Sequence, residues 1–258
     1  MNNSVHMGEM VWREYSNKVK DGNCVVFVPI GAIEQHGHHM GLNVDVLLPT
    51  AVAEGVAKQV GGVVAPPVCY GYKSQQKSGG GNFYPGTTSL DGTTLVAVVK
   101  DIMRELARHG VRKFAMVVGH FENYMFVVEA VDLFLREAKM QGIDNARVMV
   151  FSYWDFCDDP EVIKVLYPDE AESWALEHAG VFETSMMMHL HPHLVKLEEA
   201  VDHPSPQFPH YDMFPAHEDW TPAPGTLSLP KGSSAEKGKL ILDTCVKGIT
   251  AAVKKEFP

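Results

Sequence analysis

The chain is poor in paired cysteines, in basic charge and in long apolar runs. Its four cysteines, Cys24, Cys69, Cys157 and Cys245, lie far apart and form no C-x-x-C step. A thiolate zinc site and a dithiol redox motif are therefore excluded, and buried reduced thiols are expected. Lysine and arginine number 22 against 32 acids, giving a net charge of -10, whereas binding nucleic acid or anionic lipid calls for a basic face. No apolar stretch nears the roughly 20 residues of a membrane span. The first residues lack the basic, apolar and cleavage regions of a signal peptide, so the sequence reads as a cytoplasmic protein with neither nucleic acid nor membrane as partner. Absent too are a G-x-S-x-G elbow, a G-x-x-x-x-G-K-[ST] loop and an H-E-x-x-H helix, which sets aside serine-hydrolase, phosphate-loop and zincin chemistry.

What is present is ordinary globular material. A chain of 258 residues, 45% of them apolar, can bury a full core and reads as a single domain over 1–258. Apolar runs alternate with helical periodicities, which predicts an α/β fold with a mostly parallel central sheet flanked by helices on both faces. Strands are expected at Cys24 to Ile30, Val63 to Val68, Phe114 to Val118 and Arg147 to Phe151. Helices are expected around Val11, Tyr15 and Val19, from Pro49 to Val60, from Asp91 to His109, from Tyr124 to Gln141, from Val181 to Leu190, and after Ser233-Ser234. The loop at 69–90 carries Ser78-Gly79-Gly80-Gly81, and its glycine run reads as a mobile lid. A Pro-rich stretch, His203 to Pro230, reads as a loop or arm.

The chemistry should lie among the 13 histidines. Glu34, His36 and Asp45 follow the first strand, and His120 and Glu122 follow the third. A two-residue step in extended chain points both side chains the same way, and the carboxyl ends of parallel strands are where sites form. A single such step would suit a backbone cap and surface imidazoles equally well. Two steps after two strands, with Asp45 opening a helix nearby, favour metal. Three carboxylates and two neutral imidazoles would need cations, and two divalent ions give +4 against -3, enough to hold a bridging hydroxide. Donors of this kind, without sulfur, point to Zn²⁺ or Mn²⁺. His38 and His39 are expected to be spectators, and His189, His191 and His193 surface residues.

On these residues the sequence resembles the creatininase family of metal-dependent creatinine amidohydrolases. The resemblance rests on Glu34-Gln35-His36-Gly37-His38-His39, Asn43-Val44-Asp45, Tyr72 to Asn82, Pro85 to Gly92, Gly119-His120-Phe121-Glu122-Asn123, Ser152 to Phe156, Trp174, Glu177-His178 and Thr221 to Thr226. It implies two divalent ions per subunit, Zn²⁺ and Mn²⁺, one held by Glu34, Asp45 and His120 and the other by His36, Asp45 and Glu122, with Asp45 bridging. It also implies substrate contacts at Ser78, Phe121, Trp174, Ala175 and His178, with Trp154 closing the pocket. His178, Glu122 and Glu183 would be catalytic, Glu183 assisting His178. The expected reaction is hydrolysis of a small cyclic amide, creatinine to creatine first among candidates, through the shared hydroxide, with His178 giving a proton to the leaving nitrogen. Another ring substrate on the same metals is the alternative, and a metal-binding protein without catalysis is a third. The resemblance further implies a homohexamer. Three positions depart from the family pattern: Phe121 in place of Tyr, Ala175 in place of Asp, and Val118 where many relatives carry Asn. Each bears on the substrate more than on the metals.

Overall fold

The apolar runs pair into one parallel sheet in the protein's structure, a computed structural model in which residues 4–168 and 176–258 are described. Strands β1 (Val25–Ile30), β2 (Val63–Val64), β3 (Lys113–Val118) and β4 (Arg147–Ser152) lie in the order β2-β1-β3-β4. Side chains alternate across a strand, so each face of the sheet collects its own core. Val25 and Phe27 of β1 and Ala115 and Val117 of β3 face helices α2 (Val44–Val60), α7 (Val181–Leu190) and α8 (Ala235–Glu256). Val26, Val28 and Ile30 of β1 and Phe114, Met116 and Val118 of β3 face α1 (Trp12–Val19), α4 (Gly92–Arg108) and α5 (Tyr124–Met140). Burial on both faces explains why β1 reads as an unbroken apolar run. The shorter helices are α3 (Gln76–Gly79) and α6 (Pro160–Leu166). Among the described residues no helix is long and apolar enough to cross a membrane.

This strand order places a topological switch between β1 and β3. The two are hydrogen-bonded neighbours in register Ile30 to Val118, and the chain leaves their ends for opposite sides of the sheet. A crevice opens at such a point in α/β folds. Sequence spacing could not tell that these strands are adjacent; the sheet order supplies that fact.

Three expectations need correction. The second strand stops at Val64 because Pro66 and Pro67 have no N–H to give the ladder, although the chain still tracks β1, with Val68 N–H donating to Pro29 O at 3.0 Å. Helix α2 starts at Val44, not at Pro49, which lies inside it; there its missing N–H leaves the Asp45 carbonyl without the usual i+4 donor. The glycine run is a packed wall, not a lid: a Cβ on Gly79 would meet Glu34 Oε1 at 2.1 Å, and one on Gly80 would meet Gly225 O at 2.4 Å. The Pro-rich segment is a loop, as expected, and it lies against its own chain, where Lys77 Nζ donates to Tyr211 O at 2.9 Å and Thr221 Oγ1 to Gly80 O at 2.9 Å.

Candidate metal centre

Two glycines let α2 sit directly on the strand ends. A Cβ on Gly31, after β1, would meet the Asp45 carbonyl oxygen at 2.3 Å, and one on Gly119, after β3, would meet it at 2.4 Å. Asp45, in the first helical turn, is thereby pressed between the loops that carry Glu34, His36 and His120. A carboxylate there is also favoured by the helix N-terminus. Glu34, His36, Asp45 and His120 are each 3% exposed or less.

The hydrogen bonds of the two imidazoles decide what this cluster can hold. His36 Nδ1 lies 3.1 Å from the backbone oxygen of Glu34. A carbonyl only accepts, so Nδ1 carries the proton and the Nε2 lone pair faces Asp45 Oδ1 at 3.2 Å and Glu183 Oε1 at 3.6 Å. In His120 the anchored nitrogen is Nε2, which faces Tyr72 O at 3.1 Å and Glu122 Oε2 at 3.2 Å. Its Nδ1 is left facing Glu34 Oε2 and Asp45 Oδ2, both at 3.1 Å. Each lone pair thus points at carboxylate oxygens, an arrangement that repels unless a cation lies between. Glu34 Oε1, His36 Nε2 and Asp45 Oδ2 are buried without a hydrogen-bond partner, which a protein rarely tolerates unless an ion completes the site. Donor atoms of Glu34, Asp45 and His120, and of His36, Asp45 and Glu183, lie within 4.8 Å of one another in each trio. Asp45 is common to these two trios, and a third, Glu34, His36 and His178, lies alongside; the residues fit two ions sharing the Asp45 carboxylate, with imidazole anchors of the kind that orient metal-binding histidines.

The protein's own charges report the same demand. Burial pushes the Glu34 carboxyl up to about 7 against the pull of His120. Burial opposes charge on His36 and His120 as well, yet the surrounding carboxylates outweigh it and raise both. Asp45 is also buried, but the two imidazoles hold it far below the usual range. A proton on each imidazole and a divalent ion are alternative answers to the same excess of negative charge.

Around this centre the other expected residues fall as follows. Glu122 is half-buried beside His120 and does not join the trio of His36; its Oε1 accepts from Gln75 N–H at 2.7 Å and Ser78 Oγ at 2.5 Å. In that trio Glu183 occupies the third place. His178 is 4% exposed, with its ring 4.7 Å from that of His36, and burial together with His36 draws it down to about 4. Ser78, Phe121, Trp154, His178 and Glu183 line a cavity of about 620 Å³ over the cluster. Trp154 is half-buried, packed edge-on against Tyr153 at 5.2 Å, and serves the core and the cavity wall together. Phe121 is 66% exposed at the mouth, whereas Val118 is fully buried in the opposite core. Trp174 and Ala175 lie outside the described residues.

Some supporting groups went unread in the sequence. His39 joins no donor trio, yet it is buried rather than on the surface, and its Nε2 lies 3.1 Å from Thr184 Oγ1. Glu177 caps α7, its Oε1 accepting from Phe182 N–H at 3.0 Å, while Oε2 accepts from the Tyr167 hydroxyl at 2.5 Å. Gln35 is buried between the two ligand candidates and reaches His178. Its position in a strand-like alternation would send it away from the site, so no spacing rule finds it. His189 and His191 are half-buried and His193 is exposed.

Residues 8–253 match the Creatininase family, described as creatinine amidohydrolase. The chain is 58% identical to the creatinine amidohydrolase of Pseudomonas putida over 100% of its length and 99% of the relative. Creatininase structures superpose on 99% of each chain at 58% identity: a Zn-Zn form of an E122Q mutant and a Mn form, each with a TM-score of 0.97, and a creatine complex of the mutant at 0.96. A mycofactocin precursor peptide peptidase of Mycolicibacterium smegmatis is 29% identical over 91% of this chain and 86% of its own.

Proposed function

The chain belongs to the creatininase family, and from that premise we propose that it opens creatinine to creatine, adding water across the ring amide in a metal-dependent step. The observation that carries this reading is the pair of imidazole lone pairs turned onto shared carboxylates at the floor of a cavity. One ion would take Glu34, Asp45 and His120, and the second His36 and Asp45. For its third donor the family resemblance favours Glu122 and the geometry favours Glu183, 3.6 Å from His36 Nε2. Counting metal in Glu122→Gln and Glu183→Gln separates the two, since the true donor is the one whose loss removes the second ion. When bound, Zn²⁺ or Mn²⁺ polarises the amide carbonyl and makes water acidic enough to attack near neutral pH.

The chain's own residues would then manage protons and orientation. His178, held down to about 4, is neutral near pH 7 and offers one ring N–H. The proton of the attacking water ends on the ring nitrogen as the C–N bond breaks, with the His178 N–H steering its transfer, leaving a carboxylate and a freed N–H. Glu183, whose Oε2 accepts from Ala179 N–H at 2.7 Å, fixes the turn that carries His178. Glu122 is held by Ser78 and Gln75 at the cavity wall and is placed to orient the substrate's environment through Ser78. Trp154 offers a flat face to a small planar ring, with Trp174, Ala175 and Phe121 as further contacts. A buried polar partner is worth about 1–3 kcal/mol, which bears on the Asp missing at Ala175, whereas Phe121, 66% exposed, loses less. A loss of that size is enough to move preference among similar rings, so another cyclic amide is the second reading.

Turnover of creatinine in isotope-labelled water tests the reaction: hydrolysis places one heavy oxygen in the carboxylate of creatine. Product without label, or a faster reaction on another five-membered ring amide, would move the assignment. We further propose one catalytic domain over residues 1–258, working in the cytoplasm as a homohexamer. Light scattering at six chain masses is the expected result, and a single chain mass would contradict it.

A further inference from the structure

The loop that carries Glu34 and His36 holds between them a side chain that the function above leaves unused. Gln35 is 5% exposed. Its Oε1 accepts from Gly37 N–H at 2.9 Å, and its Nε2 donates to Gly225 O at 2.8 Å and Gly79 O at 3.1 Å. A donor at one end of the amide and carbonyls at the other fix which end is oxygen. The slot closes on it: a Cβ on Gly225 would meet Oε1 at 2.3 Å, and one on Gly80 would meet Nε2 at 2.9 Å. Gly80 and Gly225 both have positive φ, +79° and +87°, so the backbone that forms the slot depends on glycine. The amide therefore has no room to turn.

The same Nε2 lies 3.0 Å from His178 Nε2. The amide has two hydrogens for three acceptors, the Gly225 and Gly79 carbonyls and this ring nitrogen, so the ring nitrogen takes only a shared hydrogen and cannot itself carry a proton against the amide. Gln35 thus engages the Nε2 side of His178 and leaves Nδ1 unengaged. We propose that Gln35 is a positioning residue for His178, its immobile amide setting the rotation of the imidazole and the nitrogen it presents to substrate. This rests on the reading of His178 as the group that steers the proton to the leaving nitrogen. Gln35 sends no side-chain atom to the carboxylates of the metal centre, so its loss should be felt in kcat before it is felt in metal content.

The test is a double-mutant cycle on the Zn²⁺-loaded enzyme with creatinine, combining Gln35→Ala with His178→Ala and measuring kcat, KM, metal per chain and thermal midpoint. Gln35→Ala should lower kcat about 10- to 100-fold, the usual cost of removing a group that orients a catalytic one, with KM changed less than about threefold and about two metals retained. Gln35→Met, which keeps the length and fills the slot without donors, should lose kcat similarly. In the His178→Ala background Gln35→Ala should cost nothing more, because partners that act together are not additive. Multiplicative losses, full kcat in Gln35→Met, or metal loss and unfolding in both Gln35 variants would each overturn the proposal. Undiminished kcat in His178→Ala alone would instead overturn the role of His178 on which it rests.

Discussion

His36 and His120 carry opposite anchors to the same end. One gives its Nδ1 proton to Glu34 O, the other its Nε2 proton to Tyr72 O, and both turn the remaining lone pair onto Asp45. Because Asp45 serves both donor trios, Asp45→Asn should reduce bound metal from about two per chain to below one and abolish turnover; elemental analysis of the purified variant decides this, and full metal content would contradict the shared carboxylate. His39 gives a prediction about pH. Burial lowers its pKa to about 4 in the folded chain, against about 6.5 when unfolded. The unfolded chain therefore binds the proton first on acidification, and the stability contributed by neutral His39 is present above about 6.5 and lost as pH falls towards 4. In His39→Gln the thermal midpoint should fall less over that window than in the parent, and parallel curves would contradict the assignment.

At the same scale the sequence was readable where chemistry repeats and silent where it depends on direction. The Glu34-x-His36 and His120-x-Glu122 steps, with Asp45, singled out the buried cluster. His39 and Gln35 escaped because their importance lies in partners 145 and 143 residues away, Thr184 and His178, which no local period encodes. That Glu183 as well as Glu122 approaches the second site has the same origin, since ring orientation is set by the backbone carbonyls that anchor each imidazole.

Among the elements, the strands and long helices were legible because β1, β3, α4 and α8 have unambiguous patterns, with Ser234 Oγ accepting from Lys237 N–H to cap α8 as expected. The start of α2 was misread because a proline near a helix start and one inside look alike without the fold. That error hid the structural reason for Gly119. Placing a Cβ there would drive it into Asp45 O and into Pro49 Cγ at 2.3 Å, so Gly119→Ala should cost about 1–3 kcal/mol as overpacking and lower metal occupancy by displacing Asp45. A variant with unchanged midpoint and metal would show that the helix has room to yield. Next to His178, Ala179 sits at φ +59° and is fully buried. Left-handed backbone costs a non-glycine residue about 1–2 kcal/mol, which Glu183 and the capped start of α7 hold in place. Ala179→Gly should therefore be tolerated within about 1 kcal/mol, whereas β-branched Ala179→Val should fold poorly or not at all; equal midpoints for the two would contradict strain at this turn.

Taken whole, the molecule is a parallel sheet whose switch point delivers two strand ends, one helix start and one strained turn to a common cavity. The fold class was visible from alternation alone; the switch point was not, because strand order is a property of pairing. The Pro-rich segment is tied down through Lys77, Gln76 and Thr221 to the short helix beside Ser78, so even the least regular part of the chain braces the site. The activity proposed for the whole molecule is metal-dependent hydrolysis of creatinine. Its most direct test is creatine release from creatinine by the purified protein loaded with Zn²⁺ or Mn²⁺, beside the same protein after chelation. Turnover that vanishes on chelation and returns with metal is the predicted result. No creatine formed by protein carrying about two ions per chain would contradict the account.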